Sequence, residues 1–206
     1  KIVISTGVVT TLAGSSSGST DATGTAAKFS SPWAITTDGT NLYVADSNNH
    51  TIRKVVISSG VVTTLAGSAG SSGSTNGTGT TAKFYDPYGI TSDGTNLYVA
   101  DRLNHRIRKI VISTGVVTTL AGSGTAGSTD ATGISASFKY PRGINTDGSY
   151  LYVADTSNHK IRKIVISTGV VTTIAGSAGS TGSADGSGTA ARFNKPTGIV
   201  TDGTNL

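Results

Sequence analysis

Apolar and polar positions alternate along the chain in short runs, and residues that favour tight turns separate the runs. Between positions 87 and 121 the runs are Pro87 to Ile90, Leu97 to Asp101, His105 to Ile112 and Val116 to Leu120. Runs of this length with a two-residue period predict β-strands, which we call a, b, c and d in chain order. The intervening Asp-Gly and Ser-Thr-Gly segments predict turns between antiparallel neighbours. Helix is not predicted, because Glu and Gln, which commonly fill exposed helical positions, do not occur.

The same four runs return with a period of 53 to 55 residues. Gly-Val-Val-Thr-Thr-(Leu/Ile)-Ala-Gly begins at Gly7, Gly60, Gly115 and Gly169. Pro-x-(Gly/Ala)-Ile begins at Pro32, Pro87, Pro141 and Pro196, and Leu-Tyr-Val-Ala-Asp begins at Leu42, Leu97 and Leu151. A period in this range indicates stacked structural repeats.

Four antiparallel strands per repeat predict an all-β fold, a β-propeller of four-stranded blades, because each blade buries both faces against its neighbours. A solenoid is the alternative. We expect strands c and d of a first blade in residues 1–14, further blades at about 30–67, 85–122 and 139–176, and strand a of a last blade in residues 194–206.

Three nine-residue segments carry a family resemblance. Each begins with the Asp that ends strand b and contains Asn-His-x-Ile-Arg-Lys, starting at Asp46, Asp101 and Asp155. Together with Pro-x-Gly-Ile and Tyr-Val-Ala-Asp in order, they resemble the pattern that names the NHL repeats, with isoleucine at the family's leucine position. The resemblance implies a propeller that usually closes with about six blades. We therefore expect a fragment of a larger ring or array, or association of two chains through an incomplete terminal blade.

Composition limits the chemistry. The 206 residues include no Cys, which excludes disulfides and thiolate metal sites, and the net charge is +5. Ten of the eleven Asp residues occupy repeat positions, so only Asp86 departs from the pattern. Some propellers that resemble this one are metal-dependent lyases or lactonases, but no Glu or irregular Ser-His-Asp set supports that chemistry here. We predict no catalytic residues, no metal site and no cofactor.

Three sets of repeated polar residues have structural interpretations. His50, His105 and His159 follow an Asp at the b–c turn, where we expect structural hydrogen bonds rather than metal ligation. Arginines in strand c are expected to form a solvated basic row paired with Asp, with binding of phosphate or an acidic partner as the alternative. Acidic or amide residues in the Gly/Ser/Thr loops are expected to form turns, with calcium ligation as the alternative. The arginines are Arg53, Arg108 and Arg162, and the loop residues are Asp21, Asn76, Asp130 and Asp185.

Differences between the copies concentrate around the proline and after the strand-b Asp. In an up-and-down blade, the d–a connections and the b–c turns lie on one edge, so we expect a single variable face. Aromatic and cationic side chains there would suit binding, with drift in tolerant loops as the alternative. The candidate ligand-binding residues are Trp33, Tyr85, Asp86, Tyr88, Arg102, Lys139, Tyr140, Arg142 and Lys195.

The sequence thus predicts a non-catalytic binding or scaffolding propeller that recognises a protein or a glycan. A metal-dependent propeller enzyme and, with less support, an RNA-binding NHL domain are the alternatives. Nucleic acid is disfavoured because stacking aromatics are few, and no apolar run is long enough to insert into a membrane. The Ser/Thr/Gly-rich, Cys-free composition suggests an extracellular or cell-surface protein of bacterial or archaeal type.

Overall fold

A computed structural model describes residues 1–206 and contains thirteen β-strands, seven short 3₁₀ turns and no α-helix. The strands form two four-stranded sheets and one five-stranded sheet, with orders β1-β2-β3-β4, β5-β9-β8-β7-β6 and β10-β11-β12-β13, and every pair is antiparallel. The bounds are β1 Pro32–Thr37, β2 Asn41–Asp46, β3 Thr51–Val56, β4 Val62–Ala66, β5 Gly77–Thr78, β6 Pro87–Ser92, β7 Asn96–Asp101, β8 Arg106–Val111, β9 Val116–Ala121, β10 Ile144–Thr146, β11 Tyr150–Asp155, β12 Lys160–Val165 and β13 Val171–Gly176. The predicted all-β fold of four-stranded antiparallel blades is confirmed.

The hydrophobic core lies between the blades rather than within one. Tyr43 and Ile52 of the first blade pack in one cluster with Leu97 and Ile110 of the second. An equivalent cluster joins the second blade to the third. Each sheet therefore needs a neighbour on both faces, which explains why its strands are apolar on both sides.

Strand a is the inner strand of each blade. β1 packs beside β6, and β6 packs beside β10, although these strands belong to different sheets. The approach is tight at Gly89, where an added Cβ would lie 2.1 Å from the carbonyl oxygen of Arg142. The inner strands of successive blades consequently meet around a shared axis.

The terminal segments form little regular structure. Ile2 and Val9 make an isolated antiparallel bridge in the N-terminal segment. In residues 194–206 the backbone makes one turn, in which the Asp202 N–H donates to the Asn205 carbonyl. An apolar groove on the outer face of the first blade is lined by Leu12, Phe29 and Val44, among others.

The strand-c arginines are buried, so the expectation of a solvated row is wrong. Arg53, Arg108 and Arg162 are 0% exposed. A register shift immediately precedes each of them in the c–d pair, and such bulges redirect neighbouring side chains. The connection that precedes each blade folds over the arginine and replaces water with carbonyl groups and a phenyl ring.

Arg108 illustrates the contacts of all three arginines. Its guanidinium pairs with Asp101 at 2.8 Å, donates to the Lys83 carbonyl at 2.9 Å and lies 5.1 Å from the centroid of the Phe84 ring. Burial raises the pKa of Asp101, and Arg108, the N–H of Tyr85 and the amide of Asn104 oppose that rise. The predicted pairing of arginine with aspartate therefore exists, but inside the protein.

The carboxylates of the Gly/Ser/Thr loops bond to residues that are distant in the sequence instead of forming the expected local turns. Asp21 accepts from Arg53 and, at 2.9 Å, from the backbone N–H of Thr64, which lies 43 residues away. Asp130 does the same with Arg162 and Thr173. Asn76 accepts only side-chain donors, from Arg108 and Thr119, and Asp185 makes no ion pair. The interpretation of these residues as local turn formers is therefore wrong for the three that tie a connection to the following blade.

Candidate functional site

The d–a connections and the b–c turns form one face of the molecule, which we call the variable face. The residue before each proline has a left-handed backbone, with φ between 50° and 55° at Ser31, Asp86, Tyr140 and Lys195. Such a conformation costs free energy in a residue other than glycine. The same geometry in four copies indicates that the surrounding structure enforces it.

Histidines of the preceding blade form hydrogen bonds with this backbone segment. Nδ1 of His50 accepts the N–H of Asp86 at 3.2 Å, and Nδ1 of His105 accepts the N–H of Tyr140 at 3.1 Å. His159 does the same for Lys195 at 3.0 Å. The histidines therefore have the expected structural hydrogen bonds, but the partner is the next blade rather than the preceding Asp.

Three residues of the variable face form a continuous stack across three blades. The rings of Trp33 and Tyr88 lie 4.6 Å apart with an interplanar angle of 20°. The guanidinium carbon of Arg142 lies 5.1 Å from the Tyr88 centroid. Each of the three immediately follows the proline of its own blade, so the meeting of the inner strands aligns them. We call Trp33, Tyr88 and Arg142 the stack.

Arg102 connects the stack to its surroundings. It forms an ion pair with Asp86 and lies 6.0 Å from the Tyr88 centroid and 5.7 Å from that of Tyr140. Asp86, the single Asp outside the repeat pattern, thus positions Arg102. The residues equivalent to Arg102 in the other two blades are Ser47 and Thr156, which are uncharged. Six of the nine predicted residues form one contiguous cluster: Trp33, Asp86, Tyr88, Arg102, Tyr140 and Arg142.

The other three predicted residues lie outside that cluster. Tyr85 is 41% exposed and packs edge-on against His50 with centroids 5.4 Å apart. Lys139 and Lys195 are exposed and take part in no ion pair.

Arg102 occupies a position that has a structural role in the other blades, which sequence reasoning missed. The Ser47 hydroxyl donates to the Pro87 carbonyl, and the Thr156 hydroxyl donates to the Pro196 carbonyl at 2.7 Å. The second blade carries an arginine instead and makes no such bond. Hydroxyl residues at two of three equivalent positions are the sequence signal that could have indicated this exchange.

Positive charge affects titration on this face. The pKa of His105 is lowered by burial and by the nearby cations Lys139 and Arg102. Its ring also packs edge-on against Tyr140, with centroids 4.7 Å apart. A neutral His105 can keep accepting the Tyr140 N–H, so these cations favour the protonation state that the inter-blade bond requires.

No three His, Cys, Asp or Glu side chains converge in a geometry that could hold a metal ion. The structure also contains no helix with the length and apolar character needed to cross a bilayer.

Comparisons with known proteins agree with the fold. A family model described as NHL repeat matches residues 29–55. NHL repeat-containing protein 2 of Homo sapiens is 36% identical over 154 residues, covering 69% of this chain and 20% of that protein. The chain therefore spans about a fifth of the length of this relative.

Two solved structures from Bacteroides thetaiotaomicron are similar in three dimensions. A structural genomics protein of unknown function has a TM-score of 0.68 and 26% identity, covering 84% of this chain and 42% of the other. An auxiliary nutrient binding protein has a TM-score of 0.56 and 25% identity, covering 68% of this chain and 36% of the other. Blade topology, inter-blade packing, the repeated Asn-His-x-Ile-Arg motif and these relatives all agree, and this chain belongs to the NHL-repeat family of β-propellers.

Proposed function

We propose that this protein is a non-catalytic recognition module that binds a protein or glycan partner through the variable face. The observation that carries the proposal is the stack of Trp33, Tyr88 and Arg142. Aromatic and arginine side chains dominate binding energy at interfaces because they bury area and fix orientation together. Trp33 is 58% exposed, so a partner can cover the end of the stack.

The exchange at Arg102 supports the same interpretation. In the second blade, the hydroxyl that would bond to the next blade is replaced by a long cation held by Asp86. A position that serves inter-blade packing elsewhere is thus used to place charge beside Tyr88 and Tyr140. Replacement of a structural contact by a charge on an accessible face suits recognition better than stability.

The chemistry of the repeated residues argues against catalysis. Asp46, Asp101 and Asp155 are fully buried and paired with arginine, so they are poor candidates for general acid–base catalysis or metal ligation at a substrate. In each histidine, Nδ1 accepts a backbone N–H of the next blade. The similarity to an auxiliary nutrient binding protein supports a binding role and an extracellular or cell-surface location of bacterial type.

The test compares partner binding by face variants and an opposite-edge control. Trp33→Ala and Tyr88→Ala should lose binding to protein and glycan arrays while unfolding close to the wild-type temperature. Tyr150→Ala is the control, because Tyr150 begins strand b at the other edge of its blade, where the Lys163 ammonium lies 3.9 Å from its ring centroid. Undiminished binding by both face variants, or loss of binding only in the control, would refute the proposal.

Metal analysis tests the enzymatic alternative. Stoichiometric zinc or calcium in the purified protein, together with turnover of a lactone or a cyclic peptide, would replace the binding proposal with a propeller lyase or lactonase. A metal-free protein that binds partners through Trp33 supports recognition.

A further inference from the structure

The variable face carries positive charge that the protein does not neutralise. Arg142 has neither an ion pair nor a hydrogen-bonded side-chain partner, and its guanidinium carbon lies 5.1 Å from the Tyr88 ring centroid. Lys139 and Lys195 also lack carboxylate partners, whereas Asp86 compensates Arg102. A guanidinium offers two parallel donors that match a carboxylate or a sulfate. A ligand that supplies one anionic group near Arg142 would complete this arrangement.

The aromatic part of the face offers one platform rather than a row of platforms. Tyr88 is covered on one face by Trp33 and approached on the other by Arg142. Tyr140 and Tyr85 pack edge-on against histidines. Trp33 is the most exposed of these rings, at 58%. Single-stranded nucleic acid stacks successive bases on successive free rings, so this face is poorly suited to it.

Asp86 adds a hydrogen-bond acceptor beside Arg102. Its side chain is partly exposed and carries a negative charge beside Arg102. Its carboxylate can accept hydrogen bonds from the hydroxyl groups of a ligand. An oligosaccharide that has several hydroxyls and carries its acidic substituent on a neighbouring unit can reach Trp33, Asp86 and Arg142, because Arg142 lies beyond Tyr88 on the side away from Trp33.

Building on the proposed function, we propose that the variable face binds an anionic saccharide. A pyranose ring lies against Trp33, hydroxyl groups donate to Asp86, and a carboxylate or sulfate of the same chain meets Arg142. Lys139 and Lys195 attract further acidic units at the edge of the face. The two possible acidic groups share this chemistry, and the test separates them.

Trp33 provides the measurement, because it is the single tryptophan of the chain. Its fluorescence is followed during titration with hexagalacturonate, with dextran sulfate, with neutral maltohexaose and with poly(U). At low salt we expect one of the two anionic saccharides to bind at least about tenfold more tightly than maltohexaose, in line with a charge-assisted contact. The affinity should fall as salt screens the charges. Tighter binding of poly(U) than of either acidic saccharide would overturn the inference.

Substitution of Arg142 tests the assigned contact. Arg142→Gln should weaken binding of the acidic saccharide about tenfold, Arg142→Lys should restore part of it, and neither should change binding of the neutral saccharide. Lys163→Gln removes the same charge from the opposite edge and should leave the affinity unchanged. Equal losses in Arg142→Gln and Lys163→Gln would show general electrostatic attraction and overturn the site.

Calorimetry with Trp33→Ala distinguishes the two proposals. Saccharide binding that survives this variant would overturn both the proposed site and this inference. If no saccharide binds while an array partner is captured in a Trp33-dependent manner, the recognition function stands and the anionic saccharide is refuted.

Discussion

Asn76 allows the contribution of the loop carboxylate to be measured within one chain. Two of the three connections place an aspartate against the buried arginine, at Asp21 and Asp130, whereas the middle connection places Asn76 there. Asn76→Asp would give Arg108 a second carboxylate. It would also give the Thr119 N–H an acceptor, as Asp130 does for Thr173. We therefore expect the substitution to stabilise the protein.

The expected gain is modest because the carboxylate is partly solvated. Hydrogen bonds to charged groups contribute about 1.5–3 kcal/mol, but the equivalent Asp130 side chain is 45% exposed. Screening by solvent reduces the gain to about 1 kcal/mol. For a chain of this length, that corresponds to a rise in Tm of about 2–4 °C.

The gain should depend on pH with a defined sign. Burial raises the pKa of Asp130, but the N–H of Thr173 and the guanidinium of Arg162 together lower this pKa below its ordinary value of 3.8. A carboxyl whose pKa is lower in the folded state stabilises above its ordinary pKa, and the effect is lost as the pH falls through the folded value. The advantage of Asn76→Asp should therefore be complete above about pH 4 and decline below it.

Thermal and urea unfolding at pH 7 and pH 3 would measure these differences. Asp130→Asn is the matched reverse change and should lose about 1 kcal/mol at pH 7. The double variant should lie near wild type, because the two sites are in different connections and should be additive. No gain from Asn76→Asp and no loss from Asp130→Asn at pH 7 would refute the stabilising role of the loop carboxylate.

Three further variants test other contacts. In urea unfolding, the free energy of unfolding of His105→Asn should fall less between pH 7 and pH 5 than that of wild type. The reason is that the pKa of His105 is lowered in the folded state, so protonation favours unfolding. An equal fall in both proteins would exclude His105 as a source of the pH dependence. Gly89→Ala should cost about 1–3 kcal/mol, since its Cβ would lie 2.1 Å from the Arg142 carbonyl oxygen; a wild-type Tm would show that the inner strands can separate freely. Phe138→Ala should cost about 3–5 kcal/mol because it removes the buried ring beside Arg162, and a loss below 1 kcal/mol would contradict the assigned packing.

The sequence predicted the strands well because alternation and turn residues report local structure. Strand b was expected from Leu97 to Asp101 and is observed at Asn96–Asp101. The adjacency of the d–a connections and b–c turns also followed from strand order, and it brought Asp86 to Arg102.

Long-range burial was not predictable in the same way. Arginine is ordinarily exposed, and nothing local in Asn-His-x-Ile-Arg shows that a loop from the preceding connection will cover it. The constant separation of 32 residues between the loop residue and its arginine is the signal that could have indicated the contact. The stack was unpredictable for a related reason, because it depends on the close approach of the inner strands at Gly89.

The connections between the blades are nearly identical, and this similarity affects how the chain folds. The connection at residues 181–193 has the same internal backbone bonds as its counterparts, including Gly182 N–H to the Phe193 carbonyl, as Gly73 N–H bonds to that of Phe84. During folding, a hairpin can therefore dock on the wrong connection and gain almost the native set of bonds. Such out-of-order intermediates slow repeat proteins and promote exchange between molecules. The Arg102–Asp86 ion pair has no equivalent in the other copies, so we expect it to favour the correct pairing of the second blade with its own connection.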